Sequence, residues 1–313
     1  MPSRERASSH HKAAPAPKER WTTRKLLAWM AERFKSKDLD SPRVVAEMLL
    51  AHVLSCERMR LYMDADRPAS PAELAQLRDL VARAAKHEPV QYLVGHAWFF
   101  SRQFKVDRST LIPRPCTETL VEHVLQWLRV NPGHAAPLVA DIGTGSGCIG
   151  ISIAAQVPDA NVIASDRVPE ALDLAKANAT THKVIDRMEF AKGAGVAAIV
   201  AARPGARFDV IASNPPYISD AEWEQSGGVA RNVKDFEPAS ALRGGADGLD
   251  VIRPLIAEAP AIMKSGGLLA IEIAHAQKDT VIALANATGL LENVQVLKDH
   301  EGLWRVLTAV RRT

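Results

Sequence analysis

The spacing of hydrophobic positions along this chain changes twice, and each change marks a boundary. Up to about residue 88 apolar side chains recur at helical intervals. Thr22 or Thr23 can cap a helix to about Lys35, and Ser41-Pro42 reads as a cap before a proline that opens a helix to about Leu54. Val45, Met48, Leu49, Ala51 and Val53 give that helix a broad apolar face. A short piece follows around Arg58 to Met63, and then Ser70 with Glu73 three residues on forms a capping box for a helix to about Lys86. Between Glu88 and Pro113 the texture becomes aromatic and alternating, through Tyr92-Leu93-Val94-Gly95, Trp98-Phe99-Phe100 and Phe104-Lys105-Val106, which predicts a β-hairpin linker. Beyond it Thr117 can cap a helix ending near Arg129.

From there short apolar runs alternate with helical stretches. Strands are expected at 138–142, 162–166, 188–191, 208–213, 268–273, 291–296 and 304–309, with helices to about Gln156, from Pro169 to about Ala179, and from Gly248 through Met263. This alternation predicts an α/β domain with a parallel sheet. The long connection from about 218 to 247 is rich in Gly and charge and has no clear periodicity, which marks it as functional or disordered.

Composition narrows the class. With 313 residues, 47% hydrophobic and 24% charged, the chain has the make-up of a soluble globular protein with two domains. No apolar run approaches the roughly 18 residues of a membrane span. The first residues are polar and basic, so no secretory signal is expected, and residues 1–20 read as a disordered basic tail. Cys56, Cys116 and Cys148 are scattered, which fits a reducing cytoplasm and predicts neither disulfides nor a metal cluster. The net charge is +3, yet residues 1–25 hold seven basic and two acidic side chains. The remainder is therefore slightly acidic, which disfavours a nucleic-acid face on the folded body.

Two stretches carry the candidate chemistry. Asp141-Ile142-Gly143-Thr144-Gly145-Ser146-Gly147 follows the first strand directly, where glycines permit a tight turn and close approach to a nucleotide. Asp166 ends the next strand some twenty residues on, a spacing suited to a carboxylate that grips ribose hydroxyls. Cys148 stands where a dinucleotide fingerprint needs its third glycine, and no Gly-Lys-Ser/Thr follows, so a P-loop is excluded. The second stretch, Asn214-Pro215-Pro216-Tyr217, stands at a strand's carboxyl end. Its prolines stiffen a corner whose carbonyls lack ladder partners. Asn214 and the Pro215 carbonyl can accept the hydrogens of a planar NH2 group while Tyr217 stacks on its face. An ordinary strand-ending turn is the plainer reading of the tetrapeptide alone. For Arg114 and Glu118, a surface ion pair at a helix start is equally plain.

The glycine loop resembles the first motif of Rossmann-like methyltransferases that bind S-adenosylmethionine. Over almost everything after the tail the chain resembles the HemK/PrmC family of release-factor glutamine methyltransferases. The matching stretches are 46–54, Glu88-Pro89-Val90-Gln91-Tyr92, Leu111-Ile112-Pro113-Arg114-Pro115, the glycine loop, 213–218, Phe236-Glu237-Pro238, 244–249 and Glu272-Ile273. The resemblance implies a Rossmann-like class I methyltransferase sheet over 114–313, a helical substrate-recognition domain over 21–88 and the hairpin linker over 89–113. It implies S-adenosylmethionine at Asp141, Gly143, Thr144, Gly145, Ser146, Gly147, Asp166 and Asn214. It also implies methylation of the glutamine amide nitrogen in the Gly-Gly-Gln loop of class 1 release factors. Catalysis is then expected of Asn214, Pro215 and Tyr217, with Pro216, Arg114, Glu118 and Glu237 on the substrate side and no metal. Cys116 stands where the family usually has an acid, Ala194 and Gly195 where it often has an acidic and a bulky residue near the adenine, and Ala274 where a glycine is frequent. Rival readings are a DNA or RNA adenine amino-methyltransferase, a glutamine methyltransferase of a ribosomal protein, and a non-catalytic cofactor-binding module.

Overall fold

The computed structural model describes residues 20–134 and 136–313. The tail reading for residues 1–19 lies outside the described residues. The chain divides into two compact units, the first ending at Ala85 and the second beginning at Lys86.

The first unit is built from α1 (Thr23–Lys35), α2 (Pro42–Val53), a one-turn α3 (Arg60–Met63) and α4 (Pro71–Ala84). Thr22 caps α1 by accepting from the Lys25 amide, and the Ser70–Glu73 capping box is complete on α4. Ser41 differs from its expected role. Its φ of 49° is left-handed and its side chain makes no capping bond, so Pro42 alone sets the start of α2. Met30, Phe34, Leu49, Leu50 and Leu61 are fully buried. Each such side chain contributes roughly 1.5–3 kcal/mol.

The second unit begins with α5 (Val90–Val94), where the sequence predicts extended chain. Pro89 leads into this turn of helix and Gly95, at φ 78°, ends it. The hairpin is correspondingly shorter, β1 (His96–Phe99) against β2 (Arg102–Lys105). Phe100 and Ser101 both have positive φ, as a two-residue hairpin turn requires.

Then come α6 (Pro115–Val130), β3 (Leu138–Ile142), α7 (Cys148–Gln156), β4 (Asn161–Asp166), α8 (Pro169–Thr181), β5 (Met188–Lys192), α9 (Gly195–Ala202) and β6 (Phe208–Ser213). The connection after β6 holds α10 (Asp220–Glu224) and α11 (Arg231–Phe236). It leads to α12 (Ile252–Glu258), β7 (Met263–Glu272), α13 (Lys278–Ala287), β8 (Leu291–Lys298) and β9 (Trp304–Arg311). The helix expected through Met263 is thus shorter, and β7 starts earlier than expected.

These strands form one seven-stranded sheet in the order β5-β4-β3-β6-β7-β9-β8, in which β5, β4, β3, β6 and β7 are parallel and β9 runs antiparallel to both its neighbours. All six residues of β6 are buried, as a central strand covered by helices on both faces requires, including Asp209 and Ser213 near its two ends. Ile142, Ile163, Ile199, Phe208, Ile211, Leu255 and Ile271 fill one face. Leu120, Val124, Val139, Ile151, Ile153, Val210 and Ala270 fill the other. Strand order reverses between β3 and β6, and at such a switch point the loops leaving the carboxyl ends open a crevice. Both candidate stretches leave the sheet there.

Candidate active site

The loop after β3 is held by backbone at its start and by the Asp166, Asp141 and Asn178 side chains around it. Gly143 and Thr144 donate their amides to the Ser165 carbonyl at the end of β4, 2.8 and 2.9 Å away. Gly145 donates to Asp166 Oδ2 at 2.9 Å, and Val168 donates to Asp166 Oδ1 at 2.9 Å. Each carboxylate oxygen keeps a further lone pair. Asp141 lies fully buried beneath the loop, where Oδ2 accepts from the Thr144 hydroxyl at 2.6 Å and the Gly150 amide at 2.9 Å. Its Oδ1 has no partner, and burial pushes the carboxyl up to about 6. Asn178, 1% exposed, ties the Ser146 carbonyl to both backbone groups of Lys105.

A single cavity wall brings together Gly143, Thr144, Gly145, Ser146, Asp166, Gly193, Ala194, Gly195, Asn214, Pro215 and Pro216. Asp141 and Gly147 are not on that wall. Asp141 fixes the loop from below, and a Cβ on Gly147 would lie 2.6 Å from Ile151 Cδ1, so that glycine serves the start of α7. A nucleoside cofactor fits this wall. Gly143, at φ 73°, and Gly195, at φ 61°, would each point a Cβ into open space, so their missing side chains leave the surface bare for a ligand.

The corner after β6 is held by side chains. The Asn214 Nδ2 donates to Thr117 Oγ1 at 3.2 Å, and among the described residues nothing donates to its Oδ1 or to the Pro215 carbonyl. The Tyr217 hydroxyl donates to Glu272 Oε1 at 3.2 Å, and its ring packs on the apolar core. Gln277 Nε2 reaches both the Tyr217 and Gly248 carbonyls at 3.1 Å. The connection behind the corner folds back along it, with Ile218 donating to Leu242 and Gly244 donating to Ile218. Gly248 is obligatory here, since its φ is 76° and a Cβ would stand 2.2 Å from the Tyr217 carbonyl.

Three expectations change. Thr117 does not cap α6, whose cap position is Arg114; it is the third residue of the helix, 1% exposed, with its hydroxyl turned to Asn214. Arg114 and Glu118 do not pair. Arg114 is ion-paired with Glu237, whose other oxygen accepts from the Ile112 amide at 3.0 Å, while Glu118 accepts from the Phe100 amide at 2.7 Å at the hairpin turn. Arg114, Glu118, Glu237 and Tyr217 are all engaged with protein and do not line the cavity. Glu272, read in the sequence only as part of a Glu-Ile pair, is the residue least foreseen. It is fully buried, with the Cys116 thiol 3.9 Å from Oε1. Burial pushes that thiol up to about 11, so it remains a donor.

Residues 25–95 match the family model described as PrmC N-terminal domain, and residues 115–232 that of the methyltransferase small domain. A release factor glutamine methyltransferase of Chlorobaculum tepidum is 38% identical over 298 residues, covering 94% of this chain and 99% of that protein. One of Geobacter sulfurreducens is 39% identical over 289 residues, covering 92% and 96%. Among solved structures, the hMettl16 catalytic domain in complex with MAT2A 3'UTR hairpin 6 aligns with a TM-score of 0.50 at 13% identity, over 79% of this chain and 84% of that one. That last likeness is one of fold alone.

Proposed function

This chain belongs to the release factor glutamine methyltransferases, and on that premise we propose that it methylates the side-chain amide nitrogen of the glutamine in the Gly-Gly-Gln loop of class 1 release factors. One observation carries the reading at atomic level. Asn214 Nδ2 is spent on Thr117, so its Oδ1 and the Pro215 carbonyl are left as two acceptors beside the cavity.

A carboxamide nitrogen is a weak nucleophile because its lone pair is delocalised into the carbonyl. Two acceptors that take its two N–H bonds fix the plane of the amide and favour the positive charge that develops on nitrogen. Positioning and electrostatics of this kind supply the rate without a covalent intermediate. S-adenosylmethionine, when bound, supplies an electrophilic methyl group. Asp166 is the carboxylate suited to its ribose hydroxyls, and Gly143 to Ser146 the backbone suited to lie along it. Gly193, Ala194 and Gly195 line the cavity with backbone and one methyl group, so an adenine placed there would be held by packing and main-chain polar groups. Tyr217 buttresses the corner from behind through Glu272. Arg114 and Glu237 act by joining the 112–115 segment to the Phe-Glu-Pro turn.

No described helix is long and apolar enough to cross a membrane, and all three cysteines are free. We place the enzyme in the cytoplasm, where release factors work. The test is transfer of label from the cofactor to a purified class 1 release factor. Label that disappears when the Gly-Gly-Gln glutamine is replaced by glutamate supports the reading. Equal labelling of RNA, DNA or a ribosomal protein overturns it.

A further inference from the structure

We propose that the Thr110 hydroxyl is a further cofactor contact, the donor to the carboxylate of the methionine end, and that Tyr92 positions it by holding the Thr110 carbonyl. The inference rests on the reading of the cavity as a site for S-adenosylmethionine.

Several buried side chains carry a polar atom without a hydrogen-bond partner, among them Thr119, Asp141, Ser152, Ser165 and Glu272. Of all such described residues, only Thr110 also lines the cavity. It is 2% exposed, and a Cβ on Gly145 would lie 4.0 Å from its Cβ. The main chain of Thr110 is fully used. Its amide donates to the Asp107 carbonyl at 3.3 Å, and its carbonyl accepts from the Tyr92 hydroxyl at 2.6 Å. Only the side-chain hydroxyl is left over. A buried hydroxyl without a partner is costly, so its place beside an open cavity calls for a partner that arrives with the ligand. No protein bond fixes its rotamer, and one turn about χ1 exchanges hydroxyl and methyl at the cavity surface.

The sheet order says which part of the ligand that partner is. The carboxyl ends of β5, β4, β3 and β6 follow one another across the cavity. They supply first Gly193 to Gly195, then Asp166, then the glycine loop, then the Asn214 corner. With the ribose at Asp166 and the reacting methyl at the corner, the glycine loop between them takes the amino-acid end, and Thr110 stands against Gly145 in that loop. The carboxylate there needs donors, and a hydroxyl proton is one. Among the described residues the only cation on the cavity wall is Arg167, which follows Asp166 and so belongs to the ribose side.

The segment that carries Thr110 is braced from behind. Glu88, 7% exposed, pairs with Arg108 at 2.7 Å, and Tyr92 holds the Thr110 carbonyl, so both ends of Glu88-Pro89-Val90-Gln91-Tyr92 grip the same short stretch. Burial pushes the Tyr92 hydroxyl up, so it stays a donor through neutral pH. Its ring packs on Ala97, Val106 and Ile112, and Tyr92→Phe therefore removes the bond while keeping the packing.

The experiment is calorimetric titration of the full chain with S-adenosylmethionine and with its decarboxylated form. Thr110→Val is expected to bind S-adenosylmethionine roughly tenfold to a hundredfold more weakly, the scale of one bond to a charged group. It is expected to bind the decarboxylated form within about twofold of the wild type, because the lost bond needs the carboxylate. Thr110→Ser keeps the hydroxyl and most of the affinity, and Tyr92→Phe shows a smaller loss, about threefold to tenfold, on S-adenosylmethionine alone. Wild-type affinity of Thr110→Val for S-adenosylmethionine overturns the proposal, and so does an equal loss for both ligands, which would mark a merely structural role. Should Thr110→Val not fold, the same comparison with Thr110→Ala decides. A wild-type chain that binds neither ligand sinks the cofactor reading itself, whereas a wild type that binds S-adenosylmethionine beside an unaffected Thr110→Val sinks only the role of Thr110.

Discussion

The two walls of the cavity leave neighbouring strands, β3 and β6, yet one presents mainly backbone and the other polar groups set by side-chain partners. The glycine loop after β3 presents its backbone to the cavity, tied by main-chain bonds to the end of β4 and by the Asp166 and Asp141 carboxylates, and has no side chain at Gly143. The corner after β6 is stiffened by two prolines and held by Thr117, Glu272 and Gln277, which come from α6, from β7 and from the turn after it. A backbone wall suits a cofactor that must be gripped along its length. A side-chain wall suits a reacting group whose hydrogen-bond polarity must be set.

Substitutions separate the two walls. Among substitutions that leave the acceptors themselves in place, the largest effect is expected from Gly248→Ala, which drives a Cβ against the Tyr217 carbonyl at 2.2 Å. A shift of the corner by about an ångström costs roughly a hundredfold in transfer rate. Gly143→Ala has a comparable positive φ of 73° but meets open space. Within the protein it bears only the left-handed backbone cost of about 1–2 kcal/mol, and its methyl group stands on the surface left bare for the cofactor, so Gly143→Ala is read as a loss of cofactor affinity and Gly248→Ala as a loss of transfer rate at saturating cofactor. Asp166→Ala comes next. It removes the acceptor for the Gly145 and Val168 amides together with the ribose contact. Cofactor affinity by calorimetry is expected to fall roughly tenfold to a hundredfold, at about 1.5–3 kcal/mol per bond to a charged group. Tyr217→Phe is the mildest. It keeps the ring on the core and loses one bond to Glu272, and a fall of about threefold to tenfold in kcat with unchanged cofactor affinity is expected.

The same contrast explains what could be read from the sequence. The glycine loop and Asp166 were legible because a backbone wall is written as a run of residue types at fixed spacing. The parallel sheet and its strands were legible from alternation for the same reason. Val90–Val94 went unrecognised because five residues are too few to show a helical period, and their β-prone side chains point the other way. Thr117 reads as a cap from its neighbours, since nothing local shows that its partner stands 97 residues away. Arg114 and Glu118 are adjacent turns of one helix start, yet their charges are satisfied by Glu237 and by the Phe100 amide, which only the folded chain brings near. Glu272 has no sequence signal as a site residue beyond its place at the end of an apolar strand, where a buried carboxylate is costly and calls for a purpose.

The central claim is that Asn214 Oδ1 orients a glutamine amide for attack. Its most direct test is the single-turnover rate of methyl transfer to a class 1 release factor at saturating cofactor, for the wild type and for Asn214→Ala. The account predicts a rate lower by roughly a hundredfold or more in the variant, the scale of losing one preorganised polar partner at a reacting group. Transfer by Asn214→Ala at the wild-type rate would contradict it.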